Sequence, residues 1–403
     1  MSKIMPEQAH QHQSIQQDKY PDSKVYKIGI VAGEASGDVL GAGLIRSFKK
    51  LHPNCEVVGI GGRHLIAEGI HSLVDINELS VMGLVEVLKH LPRLLSIRKQ
   101  ILKYFTENPP DVFIGVDAPD FNLPLAKKLK QQGIKTVHYV SPTVWAWRES
   151  RIHKIAAATN LVLGIFPFEQ AIYDKYSVPY QYVGHTLADT IALDVNQTEA
   201  RQKFELEDCA NVLAILPGSR GKEIATMLPV FLETAELYSQ HIDELTVLIP
   251  AANEARYEQI QGILDEYKPS FRVVNTMQSA RDLMIAANAV LLTSGTASLE
   301  AMLCKRPMVV AYIMSGLTYM MMKRLYKPDY FALPNILAGA PLVPELLQEQ
   351  VTPQSLCMAL LEELERNQDV LMHAYREQHI RLKQDADLQA AKAISQLIEG
   401  KIA

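Results

Sequence analysis

Three loops in this chain place Gly, Ser or Thr beside a charged residue directly after an apolar run. They are Gly33-Glu-Ala-Ser-Gly-Asp38, Pro217-Gly-Ser-Arg-Gly-Lys-Glu223 and Thr293-Ser-Gly-Thr-Ala-Ser-Leu-Glu300. Small residues let a backbone approach a ligand, and free amides at a helix start attract phosphate oxygens. Arg220 adds a planar guanidinium, which grips a diphosphate better than an ammonium does. Ser219 stands beside it, while Ser294, Gly295 and Thr296 set the positive end of a helix dipole. Glu300, about one turn further on, can accept hydrogen bonds from vicinal ribose hydroxyls. A fourth loop, Asp117-Ala-Pro-Asp-Phe-Asn122, ends an apolar run on a carboxylate, the group type that serves as a general base. The chemistry these residues could do together is the transfer of a group across a cleft.

Each loop has a plainer reading. In the first, Ser36 or Asp38 could contact a sugar or simply cap a helix. Arg220 could be a surface residue beside a capped helix, and Thr293 or Ser294 a cap with Glu300 exposed. Asp120 could cap the helix that follows Asp117, with Asp117 fixing the loop. Ser141-Pro-Thr-Val-Trp-Ala-Trp-Arg148 holds both tryptophans of the chain. If extended, it would project Trp145 and Trp147 to one side, near Arg148 and Arg151, to stack on a ring or line an acyl groove. Ordinary packing is the alternative. None of these loops is a G-x-G-x-x-G, G-x-S-x-G or Walker A motif.

Short β-rich runs alternating with helical patterns must position these loops. Strands are expected at Tyr26–Ala32, Val57–Ile60, Val112–Asp117, Thr136–Val140, Leu161–Ile165 and Gln181–Val183. After a polar hinge at Asp194–Gln202 the pattern restarts at Val212–Leu216, Thr246–Ile249, Arg272–Asn275, Ala289–Thr293 and Met308–Tyr312. Continuous apolar strands between helices imply parallel sheets covered on both faces. The fold class expected is therefore α/β, two Rossmann-like domains facing across a cleft. The divisions are a disordered tail over 1–24, a first domain over 25–190, a second over 200–375, and a C-terminal helical segment over 376–403 that packs back on the first. Ligands of such sheets sit at the carboxyl ends of the strands, where all these loops fall.

At 403 residues, 48% hydrophobic and 21% charged, the chain can bury real cores. A formal net charge of −5 supplies no basic field for nucleic acid. The Gln- and His-rich start lacks the apolar core of a signal peptide. Cys55, Cys209, Cys304 and Cys357 form no C-x-x-C pair, which argues against zinc and suits a reducing cytoplasm. Asp385-Ala-Asp387 reads as a solvated helix face, and no metal site is expected. No run is long enough to span a bilayer. The stretch Leu79–Phe105 carries Val85, Leu88, Leu91, Leu94 and Leu95 at helical spacing beside Lys89, Arg93, Arg98, Lys99 and Lys103. It suits contact with a lipid surface, or a core helix with a solvated basic side; Pro92 is expected to kink or split it. A second Met-rich, basic patch lies at Tyr312–Lys327.

The segments VAGEASGDVLGAGLI, VMGLVEVL, DVFIGVDAPDFN, YVSPTVWAWR, LVLGIFPFE, VGHT, LPGSRGKE, SGTASLEAML and ALPNILAG occur in this order. Together they resemble the bacterial lipid-A-disaccharide synthase family from about Lys27 to the C-terminus. The resemblance implies a GT-B-type inverting glycosyltransferase at the cytoplasmic face of the inner membrane, attached peripherally. Its substrates would be UDP-2,3-diacylglucosamine and 2,3-diacylglucosamine 1-phosphate. Its products would be the β-1,6-linked disaccharide 1-phosphate and UDP. It implies no metal and no cofactor, and leaves a homodimer open. The family's important Asp falls on Asp117, its phosphate-binding Arg on Arg220, its donor-site Glu on Glu300, and the Asn of its L-P-N motif on Asn335. Ser36, Asp38, Asn122, Trp145 and Arg148 are candidate acceptor contacts. A UDP-sugar epimerase of the same architecture, or a lipid-binding protein without catalysis, are the alternatives.

Overall fold

The computed structural model describes residues 24–79, 84–207, 210–293 and 295–401, without the side chains of 84–89 and 317–318. The tail expected over 1–24 lies outside them except for Lys24. Seven strands form the first sheet: β1 (Tyr26–Ala32), β2 (Cys55–Ile60), β3 (His71–Ser72), β4 (Val112–Val116), β5 (Lys135–Tyr139), β6 (Leu161–Gly164) and β7 (Tyr180–Tyr182). Six form the second: β8 (Val212–Leu216), β9 (Thr246–Pro250), β10 (Arg272–Thr276), β11 (Ala289–Thr293), β12 (Met308–Tyr312) and β13 (Glu345–Leu347). Their orders are β3-β2-β1-β4-β5-β6-β7 and β10-β9-β8-β11-β12-β13, and every pairing is parallel.

β4, β8 and β11 are buried along their whole length, as strands sandwiched between helices must be. Each sheet has one place where the direction of strand addition reverses: between β1 and β4, with Ile28 opposite Val112, and between β8 and β11, with Leu213 opposite Ala289. The crevice outside such a reversal is the usual ligand site of an open α/β sheet. All four Gly- or Asp-bearing loops of interest leave these four strands.

The chain crosses between the halves twice. The outward crossing runs through helix Thr186–Thr190, and the return runs from helix Gln368–Leu382 into helix Ala386–Ile398. The two crossings are tied together. His185 N–H donates to the Leu382 carbonyl at 2.9 Å, and the Asp189 carboxylate accepts from the Asp385 and Ala386 amides at 2.8 and 2.7 Å. Ala390, Ala391, Ile394 and Leu397 of the last helix enter the core of the first sheet with Leu44, Ile45 and Phe48. Gly43 permits this, because a Cβ there would overlap the Asp387 carboxylate.

Asp387 is thus not on a solvated face, as Asp385-x-Asp387 suggested. It is half-buried, and its Oδ1 has no hydrogen-bond partner among the described residues. Burial, with Asp189 nearby, pushes its carboxyl up to about 6. The unfolded chain releases this proton near pH 4, whereas the folded one holds it until about 6. Stability is therefore lost as pH rises between those values. Asp387→Asn is expected to raise stability by about 1–2 kcal/mol at pH 7 and to do nothing at pH 3.5. Urea melts at the two pH values check this, and an equal gain at both would point to packing instead.

Three local features add to what the sequence marked. Helix Leu84–Glu107 is not split at Pro92, which is exposed, so water can take up the carbonyl its missing N–H leaves free. The stretch read as a polar hinge contains helix Gln197–Gln202, capped by Asn196 accepting from Glu199 N–H at 3.1 Å. β3 and β13 have two and three residues, too few to show a strand pattern in sequence.

Candidate functional site

A cleft of about 600 Å³ opens at the carboxyl ends of β8, β9, β10 and β11. Ser219, Arg220, Gly295, Thr296 and Glu300 all line it. Ser294, between them in sequence, lies outside the described residues. Gly295 has φ of 145° and ψ of −156°, a conformation essentially closed to residues with a Cβ. It turns the chain from β11 into helix Thr296–Leu303, whose first free amides then face the cleft region.

Arg220 is the N-cap of helix Gly221–Ser239, with extended dihedrals of −100° and 142°. Its side chain is 66% exposed and pairs with Glu223 at 2.9 Å. Glu223 also accepts from Tyr312 Oη at 3.4 Å. Among the described residues one of the five guanidinium donors is occupied in this way, and the others remain for an anion. Glu300 is half-buried and meets Arg281 Nε at 3.3 Å. That pairing holds the carboxylate at the wall of the cleft.

Asn335 does not line this cleft. It is fully buried, donates to the Val343 carbonyl at 2.9 Å and accepts from the Val343 amide at 2.8 Å. Both ends of its amide are spent on clamping one loop, which corrects its assignment as a donor contact. Sequence reasoning also missed the walls supplied after β9 and β10, namely Ala251, Ala252, Met277 and Gln278. The strand-end rule points to them, but they carry neither glycine nor charge.

In the first half, Asp117 and Ala118 both have positive φ, 51° and 42°, directly after β4. Two consecutive residues with side chains in this region store strain, which surrounding bonds must hold. Asp117 N–H donates to Tyr139 O at 2.9 Å, and Asn122 Nδ2 donates to the Asp117 carbonyl at 2.8 Å. The Asp117 carboxylate accepts only from the Ala118 amide, at 2.8 Å, among the described residues. Burial pushes this carboxyl above its ordinary value, and the Ala118 amide pulls it partly back. The group is half-buried at the crevice of the first sheet, a fitting state for a base.

The acceptor candidates divide. Ser36 is exposed in the first turn of helix Ala35–Leu51. Asp38 is buried and receives the amides of Gly62, His64 and Leu65 at 2.7, 2.9 and 3.1 Å. It fastens the start of a different helix, Arg63–Ala67, and is corrected from a sugar contact to a cap. Asn122 is likewise buried, and it braces the Asp117 loop instead of reaching a sugar. Residues 141–148 form a turn, with Trp147 N–H on Thr143 O at 3.3 Å, so the two tryptophans do not share a face of an extended strand. Trp145 packs edge-on against Phe168 at 4.7 Å, while exposed Arg148 lies over Trp147 at 4.0 Å. This turn also meets the second half, through Lys327 N–H to Ala146 O at 2.9 Å and an ion pair of Lys327 with Glu149. Beneath it lies Glu169, buried and pushed up to about 8 by that burial, accepting from Phe166 N–H and Tyr180 Oη at 3.1 Å each. No sequence signal marked it.

On helix Leu84–Glu107, Leu91 and Leu95 are 41% and 49% exposed, Leu94 is half-buried, and Ile97, Ile101 and Phe105 are in the core. The side chains of Val85 and Leu88 lie outside the described residues. Met320, Met321 and Leu325 are exposed on helix Gly316–Leu325. No described helix is long and apolar enough to cross a membrane.

Solved structures share this architecture. UDP-GlcNAc 2-epimerase from Neisseria meningitidis, bound to UDP-GlcNAc, aligns over 93% of this chain and all of its own, with TM-score 0.59 and 13% identity. The glycotransferase of kitacinnamycin aligns over the same shares with TM-score 0.63 and 13% identity. At such identity they establish the fold alone, the paired arrangement of GT-B glycosyltransferases and epimerases. Sequence similarity goes further. Lipid-A-disaccharide synthase of Alteromonas mediterranea is 54% identical over 375 residues, covering 92% of this chain and 98% of its own. That of Haemophilus influenzae strain Rd is 51% identical over 380 residues, covering 93% and 97%. The family model for lipid-A-disaccharide synthetase matches residues 28–398, and this chain belongs to that family.

Proposed function

We propose that this chain joins UDP-2,3-diacylglucosamine to 2,3-diacylglucosamine 1-phosphate with inversion, giving the β-1,6-linked lipid A disaccharide 1-phosphate and UDP. The observation that carries the reading is the single cleft lined by Ser219, Arg220, Gly295, Thr296 and Glu300 in a member of this family. The second half takes the donor: Glu300 accepts from ribose hydroxyls, and Arg220 with the helix start at Gly295–Thr296 takes the diphosphate. The first half takes the acceptor.

Asp117 removes the proton of the acceptor 6-hydroxyl as that oxygen attacks the donor anomeric carbon from the face opposite UDP. The bond to the diphosphate oxygen breaks, and negative charge grows on the leaving group. Arg220 turns from Glu223 to meet that charge, and the helix dipole adds to it. Closing the halves excludes water, which would otherwise hydrolyse the donor. Mass analysis of a reaction with both substrates tests the proposal. Disaccharide 1-phosphate and UDP should form together, with no UDP from donor alone. An epimerised UDP-sugar from donor alone, read by proton NMR because epimers share one mass, would replace this reading with an epimerase.

Acylated substrates reside in a bilayer, and Leu91 and Leu95 beside Lys99 and Lys103 suit contact with its cytoplasmic face. Leu91→Ser with Leu95→Ser is expected to cut binding to anionic liposomes about tenfold or more while the thermal melt stays unchanged. Unchanged liposome binding would assign that face to another role.

A further inference from the structure

A second cavity, of about 290 Å³, starts two residues after Asp117. It lies between helix Pro119–Gln131 and the segment Glu149–Ala158. Asp120, Leu123, Pro124 and Lys127 line it from the first, at the i, i+3, i+4, i+7 spacing of one helix face. Arg151 and Lys154 line it from the second. The walls thus hold three cations against one carboxylate, over an apolar floor. Asp120 pairs with Arg151 but is itself 84% exposed, and a pair open to water is weak and readily displaced. Lys127 and Lys154 have no ion-pair partner among the described residues.

The surroundings set direction. Arg98, on the helix that exposes Leu91 and Leu95, donates to the Asp120 carbonyl at 2.9 Å, and its buried Nε has no partner among the described residues. The cavity therefore adjoins the end of the Asp117 loop, through Pro119, and the helix that exposes Leu91 and Leu95, through Arg98. Asp120 to Lys127 spans roughly 10 Å of helix, at about 1.5 Å per residue. A sugar with its hydroxyl at Asp117 would extend over the Pro119–Asp120 end of the cavity, where Arg151 sits on Asp120.

We propose that this cavity binds the phosphomonoester of the acceptor, with Lys127, Arg151 and Lys154 as its contacts. The proposal rests on the transfer reading above and adds the subsite that selects the acceptor. A phosphomonoester carries roughly −1.5 to −2 at neutral pH, enough to draw Arg151 away from Asp120. The diphosphate of the donor is already provided for in the other half, so the two phosphate chemistries are separated by a domain.

The test compares 2,3-diacylglucosamine 1-phosphate with the same acceptor lacking phosphate, in zwitterionic micelles. Lys127→Gln with Lys154→Gln should raise KM for the phosphorylated acceptor about tenfold or more and leave KM for the other unchanged. Lys128→Gln, an exposed lysine outside the cavity, serves as the charge-matched control. UDP affinity of the double variant reports that the fold is intact. No change, or an equal change with both acceptors, overturns the proposal. So does an intact preference combined with lost binding to anionic vesicles, which would assign the lysines to lipid headgroups. Calorimetric titration of the phosphorylated acceptor into the unaltered protein and the double variant should show the same loss of affinity without turnover. If the unaltered protein makes no disaccharide, it is the transfer reading that fails.

Discussion

Asp117→Asn is expected to lower kcat by about 10²–10⁴-fold while the donor KM stays within about twofold. The substitution keeps shape and size, so the strained pair Asp117–Ala118 and its brace from Asn122 survive. What disappears is the ability to take a proton. Asparagine cannot do so at any pH, so the deficit should persist at high pH instead of being rescued there. In the unaltered enzyme, burial raises the carboxyl, so the acid limb of the rate profile should lie above the ordinary carboxylate range. UDP affinity should not change, because the donor cleft is built from the other half. A variant that turns over normally removes Asp117 as the base. One that loses UDP binding as well would show that the loop shapes the donor site.

Arg220→Ala carries the second large effect, about a 10²–10³-fold loss of kcat/KM. The loss should fall on both donor binding and turnover, since the guanidinium meets charge present in the diphosphate and charge that grows as it leaves. Removing Arg220 also takes the counter-ion from Glu223, leaving a carboxylate that still accepts from Tyr312 Oη in the cleft that Glu300 also lines. Glu223→Gln in the Arg220→Ala background should therefore recover part of the UDP affinity. Arg220→Lys should restore charge but not the bidentate grip, and so recover only a fraction. UDP titration calorimetry with steady-state kinetics separates these outcomes. Unaltered UDP affinity in Arg220→Ala would place the diphosphate elsewhere.

Much of the framework was readable from sequence because parallel strands buried on both faces are written as uninterrupted apolar runs. β1, β8, β11 and β12 have the expected limits, and the Gly-rich loops after β8 and β11 do line one cleft. Contacts made far along the chain were not readable. Asp38 looked like a local cap or a ligand contact, but it caps a helix that begins 25 residues later. Asn335 sat in a conspicuous motif, yet its partner is Val343, and nothing local reveals that its side chain turns inward. The shared face of Trp145 and Trp147 was conditional on an extended backbone, and Thr143 closes a turn there instead. The lining from Met277 and Gln278 was missed because strand-end position, not residue type, is what places them. The cavity of Lys127, Arg151 and Lys154 depends on two helices meeting, which no single stretch of sequence displays.

The central claim is that the second half holds a nucleoside diphosphate while the first presents a base. A crystal structure with UDP bound tests it most directly. The diphosphate should lie on Arg220 and the amides that open helix Thr296–Leu303, with the ribose at Glu300 and Asp117 across the cleft. UDP seated away from these residues, or against the first half, would contradict the account.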